Sequence, residues 1–428
     1  MKQSKYNVKF NIEADTNILY NTLSRKYVIY NDFQKNVVDN LLQNLNKDRY
    51  ELKEATVLKQ LLGKGILIKD DFDELEEIKF NECASRFGDQ VFYLTIQPTL
   101  DCNFRCTYCY EEHKKLKMDD CTTEKVLKFV DNITKRVKRL EIGWFGGEPT
   151  LEFKRIIELT NKFKDICKKN GCEYKAWMTT NGYLFSDKNI EIVDKLSIEK
   201  FQITLDGPQK CHDKQRPLIN GEGTFNKVKE NILKLLSKDV RIILRINVTK
   251  DNSFYITELF EQIPRENRKD IELRLSNLMQ EREKMNLYNV YKNAIDNGFK
   301  FYHTMSIKNG CEASCKASFT IEPDGKICSC STAAENGLHF GKLTEDGNIK
   351  LENRHEYYKF KNTSALNSEQ CKKCIQLPMC MGGCTYSRFN NPNICNGLVP
   401  DGLSLEDKIR LHYYSDLKHS DIRRNKIV

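Results

Sequence analysis

The chain has 428 residues and a net charge of +9, from 69 basic and 60 acidic residues interleaved along it. That length is enough for two or three domains with a large buried core. No stretch reaches the roughly 18 consecutive apolar residues of a membrane-spanning helix, and no concentrated basic run marks a nucleic-acid arm, so neither partner is expected. The opening MKQSKYNVKF has no apolar segment of the secretory kind, so a cytoplasmic location is expected. Seventeen cysteines in a reducing compartment point to metal or redox chemistry rather than to disulfides.

Residues 1–90 read as a small α+β domain. Val8, Phe10 and Ile12 alternate with polar residues as a strand, and Tyr27–Tyr30 suits a second. Asn31 or Asp32 can cap a helix from about Phe33 to Leu45, with Val37, Val38, Leu41, Leu42 and Leu45 at helical spacing. A second helix is expected over Glu54–Leu62, stopped by Gly63. Strand-like Ile66–Ile68 and an acidic stretch, Lys69–Glu77, follow. A peptide-binding module would need these parts, but so would any small domain of this class.

From Val91 to about Phe301 strands and helices alternate. Strands are expected over Val91–Ile96, Leu140–Phe145, Glu173–Thr179, Phe201–Leu205, Val240–Val248 and Ile271–Leu275. The helices are expected from Thr122 or Thr123 as cap through Val137, then over Leu151–Lys168, Asp187–Leu196, Phe225–Leu236, Phe254–Ile263 and Glu281–Ile295. Six β/α units imply a parallel sheet with right-handed crossovers, too few for a closed eight-stranded barrel. A partial (β/α)6 barrel is the expected core, with its site beyond the carboxyl ends of the strands.

The loop Asp101–Tyr110, DCNFRCTYCY, lies at such an end and spaces Cys102, Cys106 and Cys109 as C-x3-C-x2-C. Three thiolates so close can share one metal centre and leave a coordination position open, as a reactive site does. Soft thiolates suit iron–sulfur clusters or zinc. One unit later comes WFGGEPT. Gly146 and Gly147 can bring backbone close to a ligand, and Glu148 could accept from an ammonium group. The third and fourth strands end in Thr179–Gly182 (TTNG) and Thr204–Gly207 (TLDG), and His212–Arg216 (HDKQR) follows. Turn chemistry alone would also explain these polar strand ends.

Beyond Phe301 the alternation stops, and nine cysteines fall between Cys311 and Cys395. The late group is spaced C-x2-C-x5-C-x3-C-x10-C, and Ile321–Lys326 (IEPDGK) suits a hairpin turn. Eight thiols make two four-thiolate sites with one left over; by spacing alone, two zinc ribbons and two iron–sulfur clusters fit equally well. The scattered Cys83, Cys121, Cys167, Cys172 and Cys211 read as buried or incidental thiols. A charged helix is expected over Ser404–Asp421.

The cysteine loop resembles that of the radical SAM enzymes, with Tyr108 as the aromatic before the third cysteine, and GGEP resembles the motif that binds the methionine amino group of S-adenosylmethionine. The resemblance implies a [4Fe-4S] cluster on Cys102, Cys106 and Cys109, with S-adenosylmethionine near Tyr108, Gly146, Gly147, Glu148, Pro149, Asn181 and Thr204. The tail resembles the SPASM domain, which carries two auxiliary [4Fe-4S] clusters and would make three in all. By position, Cys311, Cys315, Cys330 and Cys384 would hold the first, and Cys371, Cys374, Cys380 and Cys395 the second. Cys328 is then an extra thiol, and Cys311 stands unusually close to Cys315.

The expected organisation is therefore an N-terminal α+β domain (1–90) suited to leader-peptide docking, a radical SAM partial barrel (91–301) and a cysteine-rich iron–sulfur domain with a terminal helix (302–428). The resemblance implies reductive cleavage of S-adenosylmethionine, hydrogen abstraction from a ribosomally made peptide, and an electron donor such as a flavodoxin or ferredoxin. In the sulfatase-maturing branch an aspartate base follows the cysteine after the PDG turn, whereas here Cys330 precedes Ser331 and Thr332. Thioether crosslinking is the expected outcome. Carbon–carbon crosslinking, epimerisation, sulfatase maturation and a non-catalytic multi-cluster electron carrier are the alternatives.

Overall fold

The computed structural model describes residues 1–47, 49–278, 284–301, 310–395 and 402–419. Six parallel strands form the centre: Val91–Ile96, Arg139–Trp144, Glu173–Thr180, Ile198–Thr204, Arg241–Val248 and Ile271–Asn277. They follow one another in chain order across the sheet, as successive right-handed units do. A short seventh parallel strand, Lys300–Phe301, closes one side. Together with their helices they make the partial barrel.

Alternation along each strand decides what faces what. Leu94, Ile96, Leu140, Ile142, Met178, Phe201, Ile203, Leu244, Ile246 and Leu273 are buried in the main apolar cluster, packed with residues of the surrounding helices. The intervening positions, such as Thr95, Gln202, Thr204, Arg245 and Arg274, form the other face, the lumen. Helix Phe153–Asn170 contributes Ile156, Leu159, Phe163 and Cys167 to the apolar side and ends at Gly171 in the left-handed region (φ 67°).

The other side of the sheet leads into the tail. Strand Ser318–Ile321 pairs in parallel with Val91–Ile96, and Lys326–Cys328, Gly341–Leu343 and Ile349–Leu351 continue it antiparallel. The hairpin expected at Ile321–Lys326 is present. The hydrogen-bonded ladder crosses from barrel to tail without a break.

The N-terminal strands Asn7–Glu13, Thr16–Asn21 and Lys26–Tyr30 form an antiparallel sheet. One face packs on helices Asp32–Gln43 and Leu52–Gly63, through Leu19, Val28, Val38, Leu41, Leu58 and Leu61. The other packs on Met379, Ile409 and Tyr413 of the tail. Asn31 caps the first helix in a capping box with Gln34.

Several expected boundaries move. Asp119, not Thr122 or Thr123, caps the helix Asp120–Thr134, accepting from Thr122 N at 2.7 Å; Val137 lies past its end. Lys69–Glu77 runs into an unforeseen helix, Glu74–Phe87, whose buried residues are Glu74, Ile78, Glu82 and Arg86. The helix expected over Glu281–Ile295 begins only at Tyr288; residues 281–283 lie outside the described residues. Asn277 Oδ1 accepts from Met285 N at 3.1 Å. The terminal helix is Leu405–His419, and residues 420–421 of the expected span lie outside the described residues.

Leu244 is wholly buried in a strand paired on both sides. Leu244→Ala should lower unfolding free energy by about 2–5 kcal/mol, read by anaerobic urea denaturation.

Candidate functional site

All six strands point the same way, so their carboxyl-end turns gather at one mouth. The cysteine loop follows the first strand and is fastened on both sides. Arg105 N donates to Pro217 O (2.9 Å) and Thr107 N to Gln215 O (3.0 Å), while the Arg105 guanidinium donates to the carbonyls of Cys102 and Phe104, both at 2.7 Å. Phe104 is fully buried, edge-on to Tyr183. The local backbone is thus set by hydrogen bonds before any metal is considered.

All seventeen cysteines are free. Burial pushes Cys102 up to about 12 and Cys109 up to about 11, and it raises Cys106 as well. As free thiols they stay protonated, so a metal must displace the protons to bind. Phe104 N lies 3.4 Å from Cys102 Sγ, a donor suited to a thiolate. Three thiols in one short anchored loop fit a cluster that keeps one iron open.

The GGEP turn lies against the entrance to this loop. Gly147 N donates to Thr99 O (3.2 Å) and Glu148 N to Asp101 O (2.8 Å). A Cβ at Gly146 would overlap Thr99 O, and one at Gly147 would overlap Asp101 O. Gly146 also has φ 122°, which L side chains rarely adopt. The glycines therefore let two stretches of the chain's own backbone touch, a use that the sequence reading did not foresee.

Glu148 is fully buried. Its Oε1 accepts from Thr150 N (2.9 Å), the Thr150 hydroxyl and the Thr180 hydroxyl (2.7 Å); its Oε2 accepts from Asn181 N (2.6 Å). Burial raises its carboxyl, against these donors, which lower it. The side chain is thus a clamp between the second and third strand ends. Oε2 has a single donor and keeps capacity for another. Pro149 opens the short 3-10 turn that follows.

Asn181 carries the contact onward. Its Nδ2 donates to Asn103 Oδ1 (2.8 Å) and lies 4.0 Å from Cys102 Sγ. Thr204 is buried at the fourth strand end, in register with Arg245 of the fifth.

Tyr108 reaches the fourth and fifth strand ends. Its hydroxyl meets Asp206, and it accepts from Arg216 Nη1 (2.7 Å) and Asn247 Nδ2 (2.9 Å). Asp206 Oδ1 accepts from Asn247 N at 2.7 Å. HDKQR therefore splits by role. His212 is buried, and burial followed by Arg216 pulls it well below its usual range; its neutral ring accepts from Asp206 N at 3.1 Å. Asp213 receives Thr224 N (2.7 Å) and Phe225 N (2.8 Å). Only Arg216 of the three faces the site. Asn247 and Arg245 were missed, because a polar residue inside a strand pattern carries no motif.

In the tail, Cys330 lies within electrostatic reach of Cys311 and Cys384, and Cys315 within reach of Cys311. Cys380 is close in the same sense to Cys395, Cys371 and Cys374. These proximities place Cys311, Cys315, Cys330 and Cys384 in one neighbourhood, to which Cys328 also belongs, and Cys371, Cys374, Cys380 and Cys395 in another. Among the described residues no three His, Cys, Asp or Glu side chains close on a single-ion position, so this grouping rests on proximity. Cys328 is fully buried, with its Sγ 3.8 Å from Thr320 O, as a core thiol would be.

The Radical SAM superfamily profile matches residues 96–263, and that of the SPASM iron–sulfur cluster-binding domain matches 311–375. A cysteine-type anaerobic sulfatase-maturating enzyme of Clostridium perfringens is 26% identical over 341 residues, 69% of this chain and 89% of its own. The radical SAM cyclopropyl synthase TigE of Paramaledivibacter caminithermalis is 21% identical over 373 residues, 77% of this chain and 76% of its own. Among solved structures, native anSMEcpe with bound AdoMet has TM-score 0.54 at 20% identity, covering 77% of this chain and 96% of that one. Streptococcus suis SuiB bound to its precursor peptide SuiA has TM-score 0.53 at 16% identity, covering 92% and 100%. The chain is a radical SAM enzyme. More narrowly it is of the SPASM type, with S-adenosylmethionine and iron–sulfur clusters as its cofactors. Among the described residues no helix is long and apolar enough to cross a membrane.

Glu148→Gln replaces an acceptor oxygen with a donor among four donors. It should cost about 1–3 kcal/mol of stability, visible as a lower thermal midpoint of the chain before any cluster is installed.

Proposed function

We propose that this chain matures a ribosomally made peptide by joining a cysteine sulfur to a carbon. Cys102, Cys106 and Cys109 would hold the [4Fe-4S] cluster, and Tyr108, Gly146, Gly147, Glu148, Pro149, Asn181 and Thr204 would surround S-adenosylmethionine. When bound, this pair supplies a 5′-deoxyadenosyl radical that abstracts hydrogen from substrate carbon. The protein's own contribution is placement. Arg105 and Phe104 fix the loop, Asn181 spans it to the third strand end, and Tyr108 with Arg216 and Asn247 spans it to the fifth. A lumen with fixed polar partners limits stray water and stray hydrogen donors around a radical.

Two groups of four tail cysteines suit two auxiliary clusters, which makes three with the first. Cysteines of either group would hold a cluster able to serve as the one-electron acceptor that closing a carbon–sulfur bond requires. The N-terminal domain suits leader docking. Among the described residues its strand Asn7–Glu13 pairs with one neighbour only, and an edge of that kind accepts an added peptide strand. Arg410 already occupies the carbonyls of Asn11 (2.6 Å) and Ile12 (2.5 Å), so docking would use the earlier part. A flavodoxin- or ferredoxin-like protein would supply electrons, and a cytoplasmic setting suits free thiols and reduced clusters.

The observation that carries the crosslinking reading is Ser331–Thr332 after Cys330, where sulfatase maturation wants an aspartate. Cys330 instead caps the helix Ser331–Glu335, and Ser331 Oγ lies 3.3 Å from the Tyr110 hydroxyl. Sulfatase maturation is the second reading, favoured by the 26% identity to such an enzyme.

The test is anaerobic incubation with dithionite, S-adenosylmethionine and a cysteine-bearing peptide encoded beside the gene. The expected product is 5′-deoxyadenosine with a peptide two hydrogens lighter that has lost an alkylatable thiol. Loss of two hydrogens with the thiol retained would replace thioether by carbon–carbon bonding, and formylglycine would establish the second reading. Cys106→Ala should abolish 5′-deoxyadenosine and remove about four irons from a total of about twelve.

A further inference from the structure

Lys361 is a buried cation of the tail whose hydrogen-bond acceptors, among the described residues, are all backbone carbonyls. Lys361 ends the helix Arg354–Lys361 and is 4% exposed. Its ammonium donates to three carbonyls: Ala313 at 2.9 Å, Cys315 at 2.7 Å and Ser318 at 2.8 Å. These span the segment that begins at Cys311 and feeds the strand Ser318–Ile321. The rings of Phe319 and Tyr357 cover the charge, 5.0 and 5.9 Å away. Behind it, Arg86 of the N-terminal domain donates to the Lys361 carbonyl. Arg86 is itself neutralised by Glu82 (3.2 Å), which also accepts from Ser364 Oγ (2.6 Å).

Three carbonyls satisfy the three N–H donors of an ammonium, yet they carry no net charge. A buried cation is stable only beside negative charge. Burial pulls the Lys361 ammonium down to about 7, and negative charge on Cys315, Cys311, Cys328 or Cys330 pulls it back up. Three of those four are ligands in the set read above for the first auxiliary cluster, and thiolates on iron would supply the missing negative charge.

We propose that Lys361 is the fixed positive charge of the first auxiliary site: it holds the Cys311–Ser318 segment and biases the cluster on Cys311, Cys315, Cys330 and Cys384 toward reduction. This rests on the ligand reading of that site. A cation in a dry interior favours whichever state of its neighbour carries one more electron. The effect suits an acceptor. Closing a thioether removes one hydrogen atom to the adenosyl group, one proton to solvent and one electron, which this cluster would take. Lys361 is a positioning residue, since it touches the ligand loop and not the substrate.

The experiment is an anaerobic redox titration of the reconstituted full chain, followed by electron paramagnetic resonance, with iron and sulfide counted in each sample. In Lys361→Met, one auxiliary signal should move to lower potential, with the ratio of reduced to oxidised cluster at fixed poise falling about tenfold, which for one electron is about 59 mV. Lys361→Arg, which keeps the charge, should stay near the parent. Where Lys361→Met fails to load iron, the comparison passes to Lys361→Gln, which keeps a hydrogen-bonding head without charge. A fully loaded neutral variant with every midpoint unchanged overturns the proposal. Failure of the ligand reading looks different: Cys315→Ala and Cys384→Ala would then keep the parent's iron and spectrum.

Discussion

A single buried carboxylate holds the mouth of the barrel in register. Burying Glu148 costs several kcal/mol of lost hydration. Four donors offset that cost, and hydrogen bonds to a charged group contribute roughly 1.5–3 kcal/mol each. Those donors come from the turn after the second strand and from the end of the third. Asn181, fixed through its own backbone N–H, then reaches Asn103 and the neighbourhood of Cys102. The seat of the cysteine loop therefore depends on a group that belongs to neither the loop nor its strand.

The lumen continues the same logic on the far side. Tyr108, Asp206, Arg216 and Asn247 share one hydrogen-bond network, so the loop is tied to strands two through five. Networks of this kind rigidify a site when fully satisfied. Arg245 and Arg274 stand side by side on adjacent strands, which makes that part of the interior strongly basic.

Continuity of the sheet sets the relation between barrel and tail. Because Ser318–Ile321 pairs directly with Val91–Ile96, the segment bearing Cys311 and Cys315 is attached to the same strand that launches the cysteine loop. The N-terminal domain joins this unit at two places. Arg86 and Glu82 reach Lys361 and Ser364, and the sheet packs on the terminal helix, where Tyr27 donates to Asp416 at 2.8 Å. A peptide held by that domain would be held at a defined distance from the mouth.

Much of this was legible in the amino-acid order, because period and spacing are local properties. Six apolar strand signals between helical stripes give the partial barrel, and the C-x3-C-x2-C and C-x2-C-x5-C-x3-C runs mark the radical SAM and SPASM segments. What stayed hidden depends on partners distant in the chain. The helix Glu74–Phe87 buries Glu74, Glu82 and Arg86 at helical spacing, a stripe that hydrophobic periodicity cannot detect because its partners, Ser4 and Ser364, lie far away. Glu148 reads from sequence as a ligand to an ammonium, and folding adds four of the chain's own donors around it while leaving Oε2 capacity for one more. Lys361 belongs to no sequence motif, and only the fold closes three carbonyls around it. Sequence alone determined which chemistry the cysteines can do. Tertiary structure decided which charges are buried beside them, since burial of a charge is settled only by groups that meet across the fold.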